Sequence, residues 1–271
     1  MIRPKISIIT PVYNGERFIE LCINNVIDQS CPDAEHTIVD GGSTDGTVEI
    51  IKKYAEKYKH IRCLSEKDKG QSDAMNKGIA MARGEILGFL NVDDYYEPKV
   101  LNRVLKIFKT LPEPSLLVGN CNVWDDNGNL WFVSRPNKIS LVNLLLERFM
   151  ESFPMNPTAY FYHKSLHEKI GLYKVDEHFG MDLDFILRAT QAANLIYIDE
   201  TWGNYRYLEG TKTFNDDKSG NNAIRVRAMV NTYRKQLAPV KQFKINLILL
   251  IFKNWRRVCT YSVKLLKQIH R

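Results

Sequence analysis

LGFLNVDDYYEP, residues Leu87–Pro98, runs from an apolar segment straight into Asn91, Val92, Asp93 and Asp94. A turn that needed only solubility could use Ser, Gly or Lys. Two adjacent carboxylates at the end of a buried strand therefore ask for a chemical reason. Upstream, the same layout recurs three times. KISIIT is a β-branched run followed by Pro11 and Asn14-Gly15, a loop signal. ERFIELCINNVIDQ then carries apolar residues at 18, 19, 22, 23, 26 and 27, which is helical spacing. HTIVD ends in GGSTDGT and precedes the helical VEIIKKYAEKY. IRCLSE and the turn DKG precede QSDAMNKGIAMA, and EILGFLNV precedes KVLNRVLKIFK. Four β-loop-α units in the first 110 residues predict an α/β fold with a mostly parallel sheet flanked by helices. Ligands bind such sheets at the carboxyl ends of the strands. The loops TPVYNGE, DGGSTDGT, SEKDKGQSD and NVDD should therefore converge on one edge, with the paired acids among them.

The residue types in these loops suggest specific chemistry. Asp93 and Asp94 beside Asn91 offer hard oxygen ligands, which suit Mn²⁺ or Mg²⁺ shared with a substrate diphosphate. The same pair could instead cap the helix that begins near Pro98. Asp40, ending the second strand, could accept hydrogen bonds from a base or ribose, or close its own turn; both can hold at once. Asp182 and Asp184 in HFGMDLDFILRA lie at a helix start, where Asp caps and favours the dipole. A carboxylate there that faced the crevice could deprotonate a hydroxyl. Arg206 in NYRYLEGTKT could hold diphosphate oxygens or pair with an acid. His163 and His167 are four apart but flank a basic segment read as an exposed helix, not a metal site. In the second half, SLLVGNCNVWDDNGNLWFV reads as two strands joined at Asn127-Gly128. SLVNLLLERFM reads as a helix, TAYFYHKSLHEKIG as a strand leading into a helix, and LIYID and NYRYL as two further strands.

Bulk properties are those of an ordinary globular protein: 271 residues with 44% hydrophobic and 25% charged, enough to bury a core without staples. The five cysteines are scattered without metal-ligand spacing, so reduced thiols in a cytosolic protein are expected. MIRPKISIIT does not read as a signal peptide, and no stretch reaches the roughly 20 apolar residues of a membrane span. The net charge of +7 is uneven. From Lys218 onward there are 13 Lys or Arg and no acid, which leaves −6 on residues 1–217. The chain thus divides into a body, 1–217, and a basic helical extension, 218–271. In the extension, Trp255, Val258, Leu265 or Leu266, and Ile269 fall at helical spacing among Arg256, Arg257, Lys264, Lys267 and Arg271. A basic amphipathic helix suits an anionic membrane surface. No nucleic-acid motif accompanies it, and the body is acidic, so nucleic acid is not expected as a partner.

ISIITPVYNGERFIE, IVDGGSTDGTVEIIKKY, SEKDKGQSDAMNKGIAMARGEILGFLNVDD and GMDLDFILRA, in that order and spacing, resemble family 2 glycosyltransferases of the GT-A (nucleotide-diphospho-sugar transferase) fold. The likeness extends over about residues 4–215 and points toward bacterial enzymes that build O-antigen, capsule or other surface polysaccharides. It implies an inverting transfer from a nucleotide sugar, often a UDP-sugar, to a lipid-linked glycan acceptor at the cytoplasmic face of the cell membrane. By this resemblance Pro11 and Tyr13, with Val12 between them, frame the uracil, and Glu16 lies nearby. Asp40 binds the base N–H. Lys69, Gly70 and Gln71 approach ribose or phosphate. Asn91, Val92 and Asp93 occupy the DXD position, with Asp93, beside Asp94, on the metal. Asp182 falls where the family has its acceptor base, and Arg206 joins the cation in stabilising the leaving diphosphate. Two positions depart from the family pattern: Asn91 replaces the first DXD acid, and Leu208 stands where an Arg-x-His motif would have its His. Two other classes use related parts. A sugar nucleotidyltransferase would need a Gly-rich basic loop after the first strand, which TPVYNGERF lacks. A non-catalytic nucleotide-sugar or glycan-binding protein with a degenerate metal site would bind a donor without turnover.

Overall fold

The computed structural model describes residues 4–177 and 179–251. The first four units fold as the alternation requires: β1 (Ile6–Val12), α1 (Glu16–Asp28), β2 (Ala34–Asp40), α2 (Thr47–Lys57), β3 (Ile61–Ser65), α3 (Gln71–Met81) and β4 (Ile86–Phe89). Their strands lie in the order β3-β2-β1-β4, all parallel, so their carboxyl ends share one edge. Every residue of β1 is buried, as a central strand covered on both faces must be. Helix α1 turns Ile19, Cys22, Ile23 and Val26 inward, the face its spacing predicted.

The rest of the sheet departs from the simple pattern. After β5 (Tyr95–Tyr96) and α4 (Val100–Phe108) come β6 (Ser115–Trp124), β7 (Leu130–Ser134), α5 (Leu141–Leu145), α6 (Phe149–Ser152), β8 (Tyr160–His163), α7 (Leu166–Ile170), α8 (Met181–Ala192) and β9 (Asn194–Arg206). Strand β8 inserts antiparallel between β4 and β6, and β9 runs parallel to β6. The expected mostly parallel sheet is thus parallel in its first half and mixed in its second. LIYID and NYRYL form one strand, β9, which follows β6 through two register shifts that absorb the polar residues between them. SLVNLLLERFM is broken into α5 and α6 at Glu147, whose φ is +57°. His163 is not on an exposed helix. It ends the buried strand β8, where its Nδ1 accepts the Ser115 amide at 3.0 Å. His167 meets the Tyr162 hydroxyl at 2.9 Å.

Helix α4 shows what holds the layers. Val100, Leu101, Val104, Leu105 and Phe108 are all buried on one stripe under the sheet. Each contributes about 1.5–3 kcal/mol of burial. Beyond β9, α9 (Lys212–Lys218) and α10 (Asn221–Gln236) follow. Val230, Tyr233 and Ile245 are buried in the same core as Tyr160 and Phe185, so the near part of the basic extension packs on the body. Residues 239–251 are helical. The amphipathic stripe from Trp255 to Ile269 lies outside the described residues. Among those described, no helix is long and apolar enough to cross a membrane.

Candidate active site

The loops at the carboxyl ends of β1 to β4 are tied into one continuous edge. Asn14 accepts the Thr44 amide at 2.9 Å, and its own amide donates to the Ser43 hydroxyl at 2.7 Å. The Glu16 carboxylate accepts the Gly46 amide at 3.0 Å, so this side chain joins the first loop to the second. Asp40 is buried, with its oxygens accepting from the amides of Gly42 and Ser43 and from the hydroxyls of Ser43 and Ser65. Asp40 thus closes its own turn and anchors β3, and an N–H of a base would have to compete with four internal donors. Gly41 lies against Asp68 so closely that a Cβ would sit 2.4 Å from its Oδ2, which ties the second loop to the third. Gly70 opens α3 at φ +112°, a conformation that a side chain resists. Gln71 donates to Asn91 at 3.3 Å, reaching the fourth loop. Pro11 and Val12 are buried strand residues, so of the expected uracil frame Tyr13, 64% exposed, is the side chain presented at the edge. Lys69 is exposed on the third loop.

The acid pair divides. Asp94 is buried and receives the Arg206 amide at 3.0 Å, Asn156 at 2.8 Å and Asn91 at 3.0 Å. Both of its oxygens face N–H groups, an arrangement that fixes the loop and leaves little room for a cation. Asp94, expected beside Asp93 as a metal carboxylate, thus has its oxygens engaged by three N–H donors, and we read it as the frame of the loop. Asp93 accepts no hydrogen bond from another described residue. Burial raises its pKa, and the Arg206 guanidinium pulls it back down. The pKa of Asp94 is raised further, by burial and then by Asp93. A cation at Asp93 would relieve both. The donor set fits one divalent ion held by Asp93 with a substrate's phosphates completing its shell. Among the described residues no three His, Cys, Asp or Glu side chains gather, so the substrate would have to supply the rest. Arg206 lies over the Tyr95 ring, 5.0 Å from its centroid, at the end of β9. A cavity of about 240 Å³ opens between α1 and this group, lined by Asp93, Tyr95 and Arg206 among others.

Across the crevice, α3 meets the segment before α8: the Ser72 hydroxyl donates to the Glu177 carbonyl at 3.2 Å. The segment that leads into α8, whose first turn carries Asp182, is thus tied to the start of α3. Burial raises its pKa to about 6, against the opposing pulls of Lys212 and Tyr160. Its Oδ1 is buried without a hydrogen-bond partner. Asp184 has the opposite fate. Lys174, Arg188 and Tyr233 all bind it, at 2.5, 2.8 and 2.8 Å, and its pKa is lowered. One of the two acids is fully paired, and the other keeps a raised pKa and an oxygen without a hydrogen bond. Sequence reasoning missed Asn156, Tyr95, Tyr160, Tyr173 and Lys212. Asn156 carried a local signal, since Asn before Pro157 caps a turn, and it does accept the Thr158 amide at 2.9 Å. The others carried none.

Comparison with known proteins places this geometry in context. The model of glycosyl transferase family 2 matches residues 7–171. An uncharacterized Bacillus subtilis glycosyltransferase, EpsJ, is 29% identical over 223 residues, covering 79% of this chain and 63% of the relative. An uncharacterized Escherichia coli glycosyltransferase, YibD, is 35% identical over 130 residues, 47% of this chain and 37% of the relative. The chain thus spans less than two thirds of the length of either relative. A PGL/p-HBAD biosynthesis glycosyltransferase of Mycobacterium bovis is 29% identical over 267 residues, 97% of this chain and 95% of the relative. Among solved structures, Staphylococcus aureus TarS 1–349 in complex with UDP-GlcNAc superposes with a TM-score of 0.66 at 22% identity, covering 92% of this chain and 72% of that one. A Pyrobaculum calidifontis mannosyltransferase in complex with GDP-Man and Mn²⁺ gives 0.65 at 17% identity, covering 92% and 70%. These structural likenesses bear on the fold.

Proposed function

Because the chain belongs to glycosyl transferase family 2, we propose that it moves a sugar from a nucleotide-sugar donor, a UDP-sugar, to a hydroxyl of a lipid-linked glycan acceptor in surface polysaccharide assembly. The observations that support this reading are Asp93 and Arg206 lining one cavity, and Asp182, a carboxylate whose pKa is raised to about 6 and whose Oδ1 lacks a hydrogen bond. A group with that pKa is ionised at neutral pH and still accepts a proton as an alcohol begins to attack. Asp182 takes the acceptor proton. Arg206, steadied by Tyr95, faces the diphosphate that departs from the opposite side of the sugar. Mn²⁺ or Mg²⁺ on Asp93 would neutralise the charge that grows on that leaving group. Asn91, in the first DXD position, contributes differently from an acid: it bonds Asp94 and Gln71 and so links the third and fourth loops. Tyr13, Lys69 and Gly70 stand at the edge where base, ribose and phosphates would lie.

An exposed apolar face with lysines beside it supports a lipid-linked acceptor. In the helix over 239–251, Val240, Phe243, Leu247, Leu250 and Ile251 are each 45–68% exposed, with Lys241 and Lys244 beside them. Such a face suits the inner leaflet of the cell membrane, with its anionic headgroups. The test is donor cleavage by the full chain with UDP-sugars and a lipid-linked glycan acceptor, alongside calorimetric titration of UDP with Mn²⁺ or with EDTA. Asp182→Asn should abolish transfer and keep metal-dependent UDP binding. Transfer that survives in Asp182→Asn, or UDP binding indifferent to metal and to Asp93→Ala, refutes the reading.

A further inference from the structure

Asp182 sits at the rim of a buried aromatic cluster whose polar atoms do not match their surroundings. Phe185, three residues on along α8, stacks on Tyr160 with centroids 6.0 Å apart and on Tyr173 at 5.0 Å, interplanar angles 18° and 19°. Residues three apart share a helix face. The ring that both tyrosines grip therefore rises from the same face as Asp182, and their hydroxyls are brought to it. Three atoms in this nest, Asp182 Oδ1, Tyr160 Oη and Tyr173 Oη, are buried without a hydrogen bond of full geometry, although the Tyr160 hydroxyl lies near enough to Asp182 and to Tyr173 to interact with both. Buried polar atoms are nearly always partnered. Two phenols loosely placed beside one carboxylate mark contacts that tighten in use. Tyr162, in the same cluster, differs because its hydroxyl is already held by His167.

Resting on the assignment of Asp182 as the base, we propose that Tyr160 is its positioning residue. The Tyr160 hydroxyl donates to Oδ1 in the working complex, fixes the carboxylate plane, and leaves the other oxygen for the acceptor hydroxyl. Tyr173, whose hydroxyl lies near that of Tyr160, backs it in the same cluster. The direction of donation is set by chemistry. Burial and the neighbouring Asp182 hold the Tyr160 phenol well above its ordinary range, so it stays protonated and can only give a hydrogen bond to an anion. The groups that act on Asp182 are Lys212 from α9, Tyr160 and Tyr162 from β8, and Tyr173 from the segment before α8. Lys212 is a cation and favours the ionised carboxylate through space. Tyr160 is the group that can also set its orientation.

The experiment is the pH profile of kcat for the full chain and for Tyr160→Phe, Tyr173→Phe and Tyr162→Phe, with thermal melts of each. The wild-type acid limb should fall near pH 6. Loss of a donor to the charged form raises a carboxylate pKa. Tyr160→Phe should move the limb up by about one unit, which is roughly five-fold lower kcat at pH 6 and little change in the pH term at 8.5. Tyr173→Phe should move it the same way by less, and Tyr162→Phe should leave it in place. An unmoved limb in Tyr160→Phe, or an equal shift in Tyr162→Phe, overturns the proposal. Should Tyr160→Phe fail to fold, an unmoved limb in Tyr173→Phe overturns it. Asp182→Asn separates the two levels of inference. If that variant is inactive while the tyrosine variants keep the wild-type limb, the positioning role alone fails. If it remains active, the assignment of the base fails and takes this role with it.

Discussion

Replacing Asp94 with alanine should unfold the protein more readily without touching the cation directly, whereas Asp93→Ala should do the reverse. The magnitude follows from the partners. Removing the Asp94 carboxylate strands the Arg206 amide, the Asn156 amide group and the Asn91 amide group, which it binds at 3.0, 2.8 and 3.0 Å. Asn91 is half-buried and can turn to water, but Asn156 is buried and also fixes Thr158, so its donor has no substitute nearby. A buried donor left without a partner costs about 1–3 kcal/mol, and two such donors set a loss of about 2–6 kcal/mol. Against this stands relief of burying a carboxylate whose pKa is raised, which moves the expectation toward the middle, about 3 kcal/mol. For a domain of this size that lowers Tm by roughly 6–12 °C. Asp93→Ala removes a desolvated carboxylate that repels Asp94 and has no donor to strand, so stability should change by less than about 1 kcal/mol or rise. Urea unfolding of both variants at pH 7.5 in EDTA reads the difference, and UDP titration with Mn²⁺ reads the site. Equal stability of the two variants, together with equal loss of metal-dependent UDP binding, would refute the division of labour and make Asp94 a second ligand.

Three further outcomes are expected. Arg206→Gln should weaken UDP binding by about 10–100-fold, the worth of one charge-assisted contact, with little change in melting because the backbone amide that holds Asp94 remains; wild-type affinity would remove Arg206 from the diphosphate site. His36 is buried on β2 against the Thr10 hydroxyl, and burial lowers its pKa to about 3. A depressed folded value means that the stability it contributes is present above the unfolded pKa of about 6.5 and lost as pH falls toward 3. At pH 5 the loss is about 2 kcal/mol, and His36→Gln should flatten that slope in urea titrations; an unchanged slope would contradict it. Phe243→Glu with Leu250→Glu should reduce co-sedimentation with anionic vesicles by about ten-fold or more and leave transfer to a soluble acceptor unchanged, whereas undiminished sedimentation would exclude this face as the membrane contact.

The parallel half of the fold was legible because each β-loop-α unit is local: strand, loop and helix signals lie within some 30 residues, and parallel pairing then forces four loops onto one edge. The mixed half was not. The insertion of β8 between β4 and β6 joins Gly88 to Phe161 and Leu117 to Phe161, pairings over long separations that no window of sequence contains. The same holds for the groups that frame Asp94, drawn from positions 91, 156 and 206.

What the sequence did contain was a geometric argument about paired acids. Asp93 lies in a turn that the Asp94 amide closes on the Asn91 carbonyl at 3.1 Å, so adjacency in sequence does not by itself turn both acids to one cation. On a helix, residues two apart lie about 200° apart around the axis, so Asp182 and Asp184 could not both face one crevice. The spacing of cations then tells the members of that pair apart: Arg188 stands four residues after Asp184, where it forms an ion pair, and no basic residue stands three or four after Asp182. A carboxylate with a partner at helical spacing is held, and the one without is free to take a proton. In each pair, charge-paired Asp184 and fully hydrogen-bonded Asp94 hold the backbone still, and half-buried Asp182 and Asp93 are left under-partnered, which is what the proposed roles require of them.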